Sequence, residues 1–183
     1  LMMSNERLEG YAMQPIVNDV HYREGYQDPS PYPEIEVLHP DPCAAHLLME
    51  DYAGGTSEFT AVHQYLYHHT TLSSYPDVAE LLEKTAVVEM MHMEKLAQMI
   101  VLLGEKPVYG SPDPWCADQV AYGETLCERL HMDLASEYAA IRQYQAHIEQ
   151  ISDPNVKALL ARIIKDEQVH VRLFQEAIAR HFC

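Results

Sequence analysis

The sequence predicts an all-α protein, a four-helix bundle made of two duplicated helical hairpins joined by a long crossover. Three observations carry this expectation. Apolar or small residues recur at spacings of three and four over about 44–72, 76–103, 122–151 and 154–181, the period of helices that bury one face. Prolines and a glycine mark where these segments start and stop. The second half of the chain also repeats the first, and such a repeat is the mark of a duplicated structural unit.

The elements follow in chain order. Residues 1–43 hold Pro15, Pro29, Pro31, Pro33, Pro40 and Pro42 together with Tyr11, Tyr22, Tyr26 and Tyr32. They show no sustained helical period and are predicted to form an extended arm. Its tyrosines suit packing over the bundle or over a neighbouring subunit better than solvation. Residues 44–183 are assigned to the bundle. Pro76 follows Ser73-Ser74-Tyr75, and Pro154 follows Ser152-Asp153; each suits the first position of a helix whose preceding residues can cap it. Gly104 ends the second helix. Glu105 to about Ala121 carries Pro107, Gly110, Pro112, Pro114 and Trp115 and reads as a crossover. A helix of about 28 residues is roughly 42 Å long, and about 17 extended residues span at most ~60 Å, enough to run back along the bundle.

Composition removes several classes of function. Twelve Lys and Arg against 28 Asp and Glu give a formal charge of −16, which repels phosphate backbones and anionic headgroups. Neither nucleic acid nor a membrane surface is an expected partner. The charge permits a metal role without showing one. No stretch approaches the run of apolar residues that spans a bilayer, and Leu1 to Glu9 lacks the apolar core of a secretion signal. Cys43, Cys116, Cys127 and Cys183 form no C-x-x-C pair, which excludes a zinc knuckle or a rubredoxin-type centre built from local sequence. Isolated thiols of this kind read as reduced, and the expected compartment is the cytoplasm.

The repeat carries the chemistry. Residues 57–68 align with 136–147 at an offset of 79, with six of twelve positions identical, and Glu89-Met90-Met91-His92 aligns with Glu167-Gln168-Val169-His170 at an offset of 78. Each half is a hairpin with one Glu before the turn and Glu-x-x-His after it. Glu58 lies 14 residues before Leu72, and Glu89 lies 13 after Pro76. Both should therefore sit about 20 Å from their turn. Glu137 and Glu167 give the same count from Ile151 and Pro154. Four glutamates and two histidines are thus expected at one depth.

These residues interrupt apolar stripes: Val156, Leu159, Ile163, Glu167, His170, Phe174 and Ile178 succeed one another at helical spacing, and Val78, Leu82, Thr85, Glu89, His92, Leu96 and Met99 do the same. Ionised carboxylates aimed into an apolar interior must be neutralised by protons, basic side chains or cations. Two divalent ions balance four carboxylates, and one imidazole each suits two iron or two manganese ions better than structural zinc. The predicted ligands are Glu58, Glu89, His92, Glu137, Glu167 and His170, with Glu89 and Glu167 bridging.

Tyr65 and Tyr144, seven positions after Glu58 and Glu137, either hydrogen-bond across the site or pack in the core. Asp133, one turn before Glu137, is placed to orient a histidine across the bundle. Glu94 and Asp166 fall beside their stripes and read as solvated, His63 as a surface or subunit contact, and the methionines as filler.

Glu-x-x-Ala-x-x-x-Tyr, Glu-Met-x-His-x-Glu-Lys-Leu-Ala and Asp-Glu-x-x-His, over about 44–181, resemble the ferritin-like superfamily of rubrerythrin and bacterioferritin type. The stretch 51–58 resembles manganese catalases and their spore-coat relatives. The resemblance implies a dinuclear site that handles peroxide or dioxygen, with the same six ligands. It also implies a homodimer or larger assembly. The expected function is that of a dimetal oxidoreductase of catalase or peroxidase type, serving defence against oxidative stress. Peroxidase chemistry would need an external electron donor, since no rubredoxin domain is present. The alternatives are a ferroxidase or iron-storage protein acting on ferrous iron, and a non-enzymatic, spore-coat-like metal-binding protein.

Overall fold

The computed structural model describes residues 21–110 and 113–183; the first twenty residues of the expected arm lie outside that range. Five α-helices are described: α1 (Pro42–Ala53), α2 (Glu58–Thr71), α3 (Pro76–Leu102), α4 (Leu126–Gln150) and α5 (Pro154–Arg180). Pro76 and Pro154 stand in the first turns of α3 and α5, and Asp153 caps α5 by accepting from the Asn155 amide. Thr125 and Glu128 form a reciprocal capping box at the start of α4. Residues 103–125 connect the hairpins α2–α3 and α4–α5, with one 3₁₀ turn at Ala117–Gln119.

One expected helix is two. Apolar or small residues recur through 44–72, but the backbone breaks at Gly54–Ser57, where the two glycines interrupt the helix. Gly54 closes α1, and a Cβ there would stand 2.6 Å from the Glu50 carbonyl oxygen. Ser57 caps α2 by accepting from the Thr60 amide. Together α1 and α2 follow α3: α1 packs with Leu96, Met99, Ile100 and Leu103, whereas Tyr65 and Leu72 of α2 pack with Val78, Leu82 and Ala86. The four-helix architecture therefore holds, with its first position filled by two pieces.

The buried apolar residues form two clusters. One joins α1, the second half of α3 and the first half of α5 through Leu48, Ile100, Leu159 and Ile163. The other joins α2, the first half of α3 and the second half of α5 through Tyr65, Leu82 and Phe174. Between them, at mid-height, lie Glu89 and His92 on α3 and Glu167 and His170 on α5. Residues 21–41 run outside the helices, and the Asp41 amide donates to the Leu103 carbonyl at 3.0 Å.

The expectation of four reduced thiols is corrected: Cys127 and Cys183 are joined by a disulfide, and Cys43 and Cys116 are free and exposed. The chain turns back after α5 through Phe182, whose φ is 57°, and the Cys183 amide donates to the Ile178 carbonyl. That turn brings the last residue beside the first turn of α4. Closing a loop over a sequence separation of 56 restricts the unfolded chain, so Cys127→Ser is expected to lower stability by about 2–4 kcal/mol, measured by denaturant titration. An unchanged midpoint under reducing and oxidising conditions would count against a stabilising bond.

Candidate metal centre

Each hairpin delivers its predicted residues to one level. Two groups of side chains each offer ligand atoms that all lie within 4.8 Å of one another: Glu58, Glu89, His92 and Glu167, and Glu89, Glu137, Glu167 and His170. All six residues are at most 3% exposed. Glu89 and Glu167 belong to both groups. His92 Nδ1 lies 2.7, 3.3 and 3.4 Å from oxygens of Glu89, Glu167 and Glu58. His170 Nδ1 lies 2.9, 3.0 and 3.5 Å from oxygens of Glu167, Glu89 and Glu137.

The surroundings orient these groups. His170 Nε2 donates to the Tyr26 carbonyl at 2.9 Å, and His92 Nε2 lies 3.1 Å from Asp166 Oδ2. With Nε2 turned outward, both rings aim Nδ1 at the carboxylates, the arrangement that fixes a tautomer for metal ligation. The tyrosines act crosswise. Tyr65 donates to Glu137, and Tyr144 donates to Glu58, so each hairpin holds the other's outer glutamate.

Asp166 and Glu94 are buried, against the expectation of solvated residues. Asp166 faces His92 and receives hydrogen bonds from Tyr32, Arg162 and the Asp28 amide. Arg162 also donates to the Asp28 and Ser30 carbonyls at 2.7 and 2.8 Å. The arm from Tyr26 to Tyr32 is thereby fastened over the histidine side of the site. Burial by itself raises the Asp166 carboxyl, but the bonds from His92, Tyr32 and Arg162 overcome it and hold the group down at about 2. A carboxyl lowered on folding stabilises above its unfolded value near 3.9 and loses that contribution as pH falls toward 2. Asp166→Asn is expected to cost about 3–5 kcal/mol at neutral pH, as breaking a buried ion pair does, with the loss fading in acid. An equal loss at pH 7 and pH 3 would refute this account.

The donor set also fits metal. Glu89 Oε2, Glu167 Oε1 and His92 Nδ1 are buried atoms without a hydrogen-bond partner; the 2.7 Å approach of His92 Nδ1 to Glu89 lacks the alignment of a bond. Buried polar atoms in that state are costly unless something else satisfies them. Without a cation, burial and then the neighbouring carboxylates push the Glu58 carboxyl well up. Burial also dominates at Glu137, which rises despite His170. Burial works to lower both imidazoles, yet surrounding oxygens raise His92 and His170 well above their usual range.

These shifts favour the protonated forms of Glu58, Glu137, His92 and His170, and divalent ions must displace such protons. Loading two metals is expected to release protons, and affinity should rise with pH. Calorimetry in buffers of different ionisation heat measures the number; none released would sink the assignment.

A cavity of about 350 Å³ reaches the site from the side opposite the arm, between α2 and α4. Ala61, Ser136 and Ala140 line it with Gln64 and Gln143, and Glu58, Glu89, Glu137 and Glu167 end it; no Lys, Arg or His is among the described lining residues.

A helical bundle with this paired constellation defines a class, and the chain belongs to the ferritin-like domain family, whose sequence pattern matches residues 55–181. It is 26% identical over 168 residues to a probable manganese catalase of Clostridium acetobutylicum, covering 79% of this chain and 74% of that one. The solved manganese catalase KatB of Anabaena superposes with a TM-score of 0.76 at 20% identity, over 84% of this chain and 79% of that one, a likeness of fold. A bacterioferritin of Mycobacterium tuberculosis superposes with a TM-score of 0.66 at 27% identity, over 78% and 87% of the two chains.

Proposed function

We propose that the protein is a dimetal oxidoreductase that consumes hydrogen peroxide or dioxygen. The observation that carries this reading is the pair of ligand groups sharing Glu89 and Glu167 at the blind end of a cavity with no cationic side chain among its described lining residues. Glu58 with His92, and Glu137 with His170, complete the two positions, and iron or manganese suits such oxygen-rich sets. When bound, the pair supplies two one-electron steps between the +2 and +3 states. The chain's own residues confine and orient. The cavity is neutral or anionic throughout, so it admits peroxide, dioxygen or a cation and resists anions. Tyr65 and Tyr144 hold Glu137 and Glu58 as charge shifts. The arm keeps water from the histidine side.

Disproportionation of peroxide needs no other reductant; peroxidase chemistry would draw electrons from an external donor. The acidic lining also favours a second reading, oxidation and storage of ferrous iron. The proposed setting is the cytoplasm, where the Cys127–Cys183 disulfide is an uncommon feature. Assembly into a homodimer or larger is proposed on the ferritin-like fold alone.

Protein loaded with manganese or iron is expected to evolve oxygen from hydrogen peroxide, or to consume peroxide or dioxygen when a reductant is present. Neither activity in either metal form would end the reading. Tyr65→Phe and Tyr144→Phe should each cost about 10–100-fold in activity or metal affinity, the usual penalty for removing a group that orients a ligand. Glu167→Ala should cost more, because both positions lose a ligand. A very large assembly holding many iron atoms per chain would instead favour storage.

A further inference from the structure

Both halves of the repeat contain Gln-x-x-x-His, at Gln64 and His68 and at Gln143 and His147. In the structure each pair grips a buried aspartate from elsewhere in the bundle. Gln64 Nε2 donates to Asp133 Oδ1 at 2.8 Å, and His68 Nδ1 lies 2.9 Å from the same oxygen. Gln143 Nε2 donates to Asp51 Oδ1 at 2.8 Å, and His147 Nδ1 lies 2.9 Å from Asp51 Oδ2. The inner halves of the two networks match.

Their outer ends differ. His68 Nε2 faces the carbonyls of Ala121 and Tyr122, each at 2.9 Å, and the side chain is fully buried. Both of its nitrogens are engaged within the protein. His147 Nε2 instead lies 3.7 Å from Glu50 Oε2, whose side chain is 45% exposed. Asp51 is 1% exposed to solvent but lines the cavity beside Glu58 and Tyr144. One network therefore runs from the cavity toward a half-exposed carboxylate, with a 3.7 Å separation at its outer end that is wider than a hydrogen bond, whereas the other is stopped by the crossover.

We propose that Glu50, His147 and Asp51 form a proton relay from solvent to the cavity, and that the matching His68–Asp133 pair is closed to solvent. The need for it rests on the oxidoreductase reading, since oxygen reduced to water takes up protons. Each passage moves one proton and no electrons; the electrons come from the metals and their reductant. A proton joins His147 at Nε2, the Nδ1 proton passes to Asp51 Oδ2, and Asp51 returns to its anion by giving a proton to the cavity. The relay resets when the side chain turns to present the remaining N–H inward, so that the other ring nitrogen takes up the next proton. The groups facing His147 are Glu50 and Asp51 of α1, and Asp51 is faced in addition by Gln143 and Tyr144 of α4. Burial raises the Asp51 carboxyl despite His147. Burial works to lower His147, but the bond to Asp51 and then the charges of Asp51 and Glu50 raise it. Both shifts favour the protonated forms of the pair.

Two readouts on the metal-loaded protein test this. Histidine C2 hydrogen–deuterium exchange by mass spectrometry is expected to show His147 exchanging readily and His68 protected; equal protection of both would overturn the relay. In turnover, His147→Gln should lower the rate at least ~10-fold, as loss of a proton-transfer group does, with added imidazole restoring it while two metals per chain are retained. Glu50→Gln, a change at a half-exposed position, should lower the rate less. His68→Gln should show no imidazole rescue. A wild-type rate and pH profile for His147→Gln would also overturn the proposal. If the loaded wild-type protein consumes neither peroxide nor dioxygen, the functional reading fails, and exchange at His147 alone still decides whether the inlet is open.

Discussion

The constraint on which the structure depends is the burial of four carboxylates and two imidazoles at one level of the core. Each buried charge costs several kcal/mol, and a domain of this kind is stable by only about 5–15 kcal/mol, so the layer cannot remain uncompensated. Among the described residues, the ion pairs inside the cluster join only these carboxylates and the two imidazoles. Two imidazolium ions leave two carboxylates over, which two further protons neutralise; two divalent cations balance all four carboxylates once the imidazoles are neutral, and only the cations also satisfy the unpartnered atoms of Glu89, Glu167 and His92. The apolar clusters above and below the layer hold the helices so that the charged groups cannot swing out to water.

The duplicated hairpin makes this economical, since one set of contacts serves twice. Tyr65 and Tyr144 each cross to the other half's glutamate, and the glutamine–aspartate–histidine networks tie α2 to α4 and α4 to α1. The symmetry fails where the chain outside the hairpins intervenes. The repeat sets Asp166 against Val88, so only His92 has a carboxylate behind it. His170 receives the Tyr26 carbonyl from the arm in its place. Two positions alike in their ligands thus differ in what stands behind their imidazoles, and a carboxylate makes its imidazole the stronger electron donor.

How much of this was legible in the sequence follows from what counting can reach. Helical period and residue counts from the two turns placed Glu58, Glu89, Glu137 and Glu167 at one depth, because rise per residue is nearly constant. Asp133 was also placed correctly, one turn from Glu137 and facing a histidine. Asp166 is buried although on a bare helix its position beside the stripe would be solvated; Arg162, four residues earlier on the same helix, is a partner the spacing offers, whereas Tyr32 comes from the arm and only its tertiary course reveals it. The Cys127–Cys183 pair was invisible for a similar reason, since it depends on the turn at Phe182 after α5. Local spacing does not record where a chain end folds back.

The break between α1 and α2 shows how a missed local feature shapes the site. Apolar residues recur at helical spacing on both sides of Gly54-Gly55-Thr56-Ser57 because both pieces lie along α3, yet the paired glycines and the capping Ser57 mark the interruption in the sequence itself. Its consequence is chemical. Glu58 becomes the first residue of α2, where the helix dipole favours a negative charge, while its counterpart Glu137 sits in the middle of α4. The open backbone leaves the Thr56 carbonyl to accept from Gln143, which in turn holds Asp51 against His147. An unbroken helix would carry that carbonyl in its own ladder and present no gap beside Asp51. The cavity mouth, the place of Glu58 at a helix start and the path from Glu50 inward thus share one origin, four residues that decline to be helical.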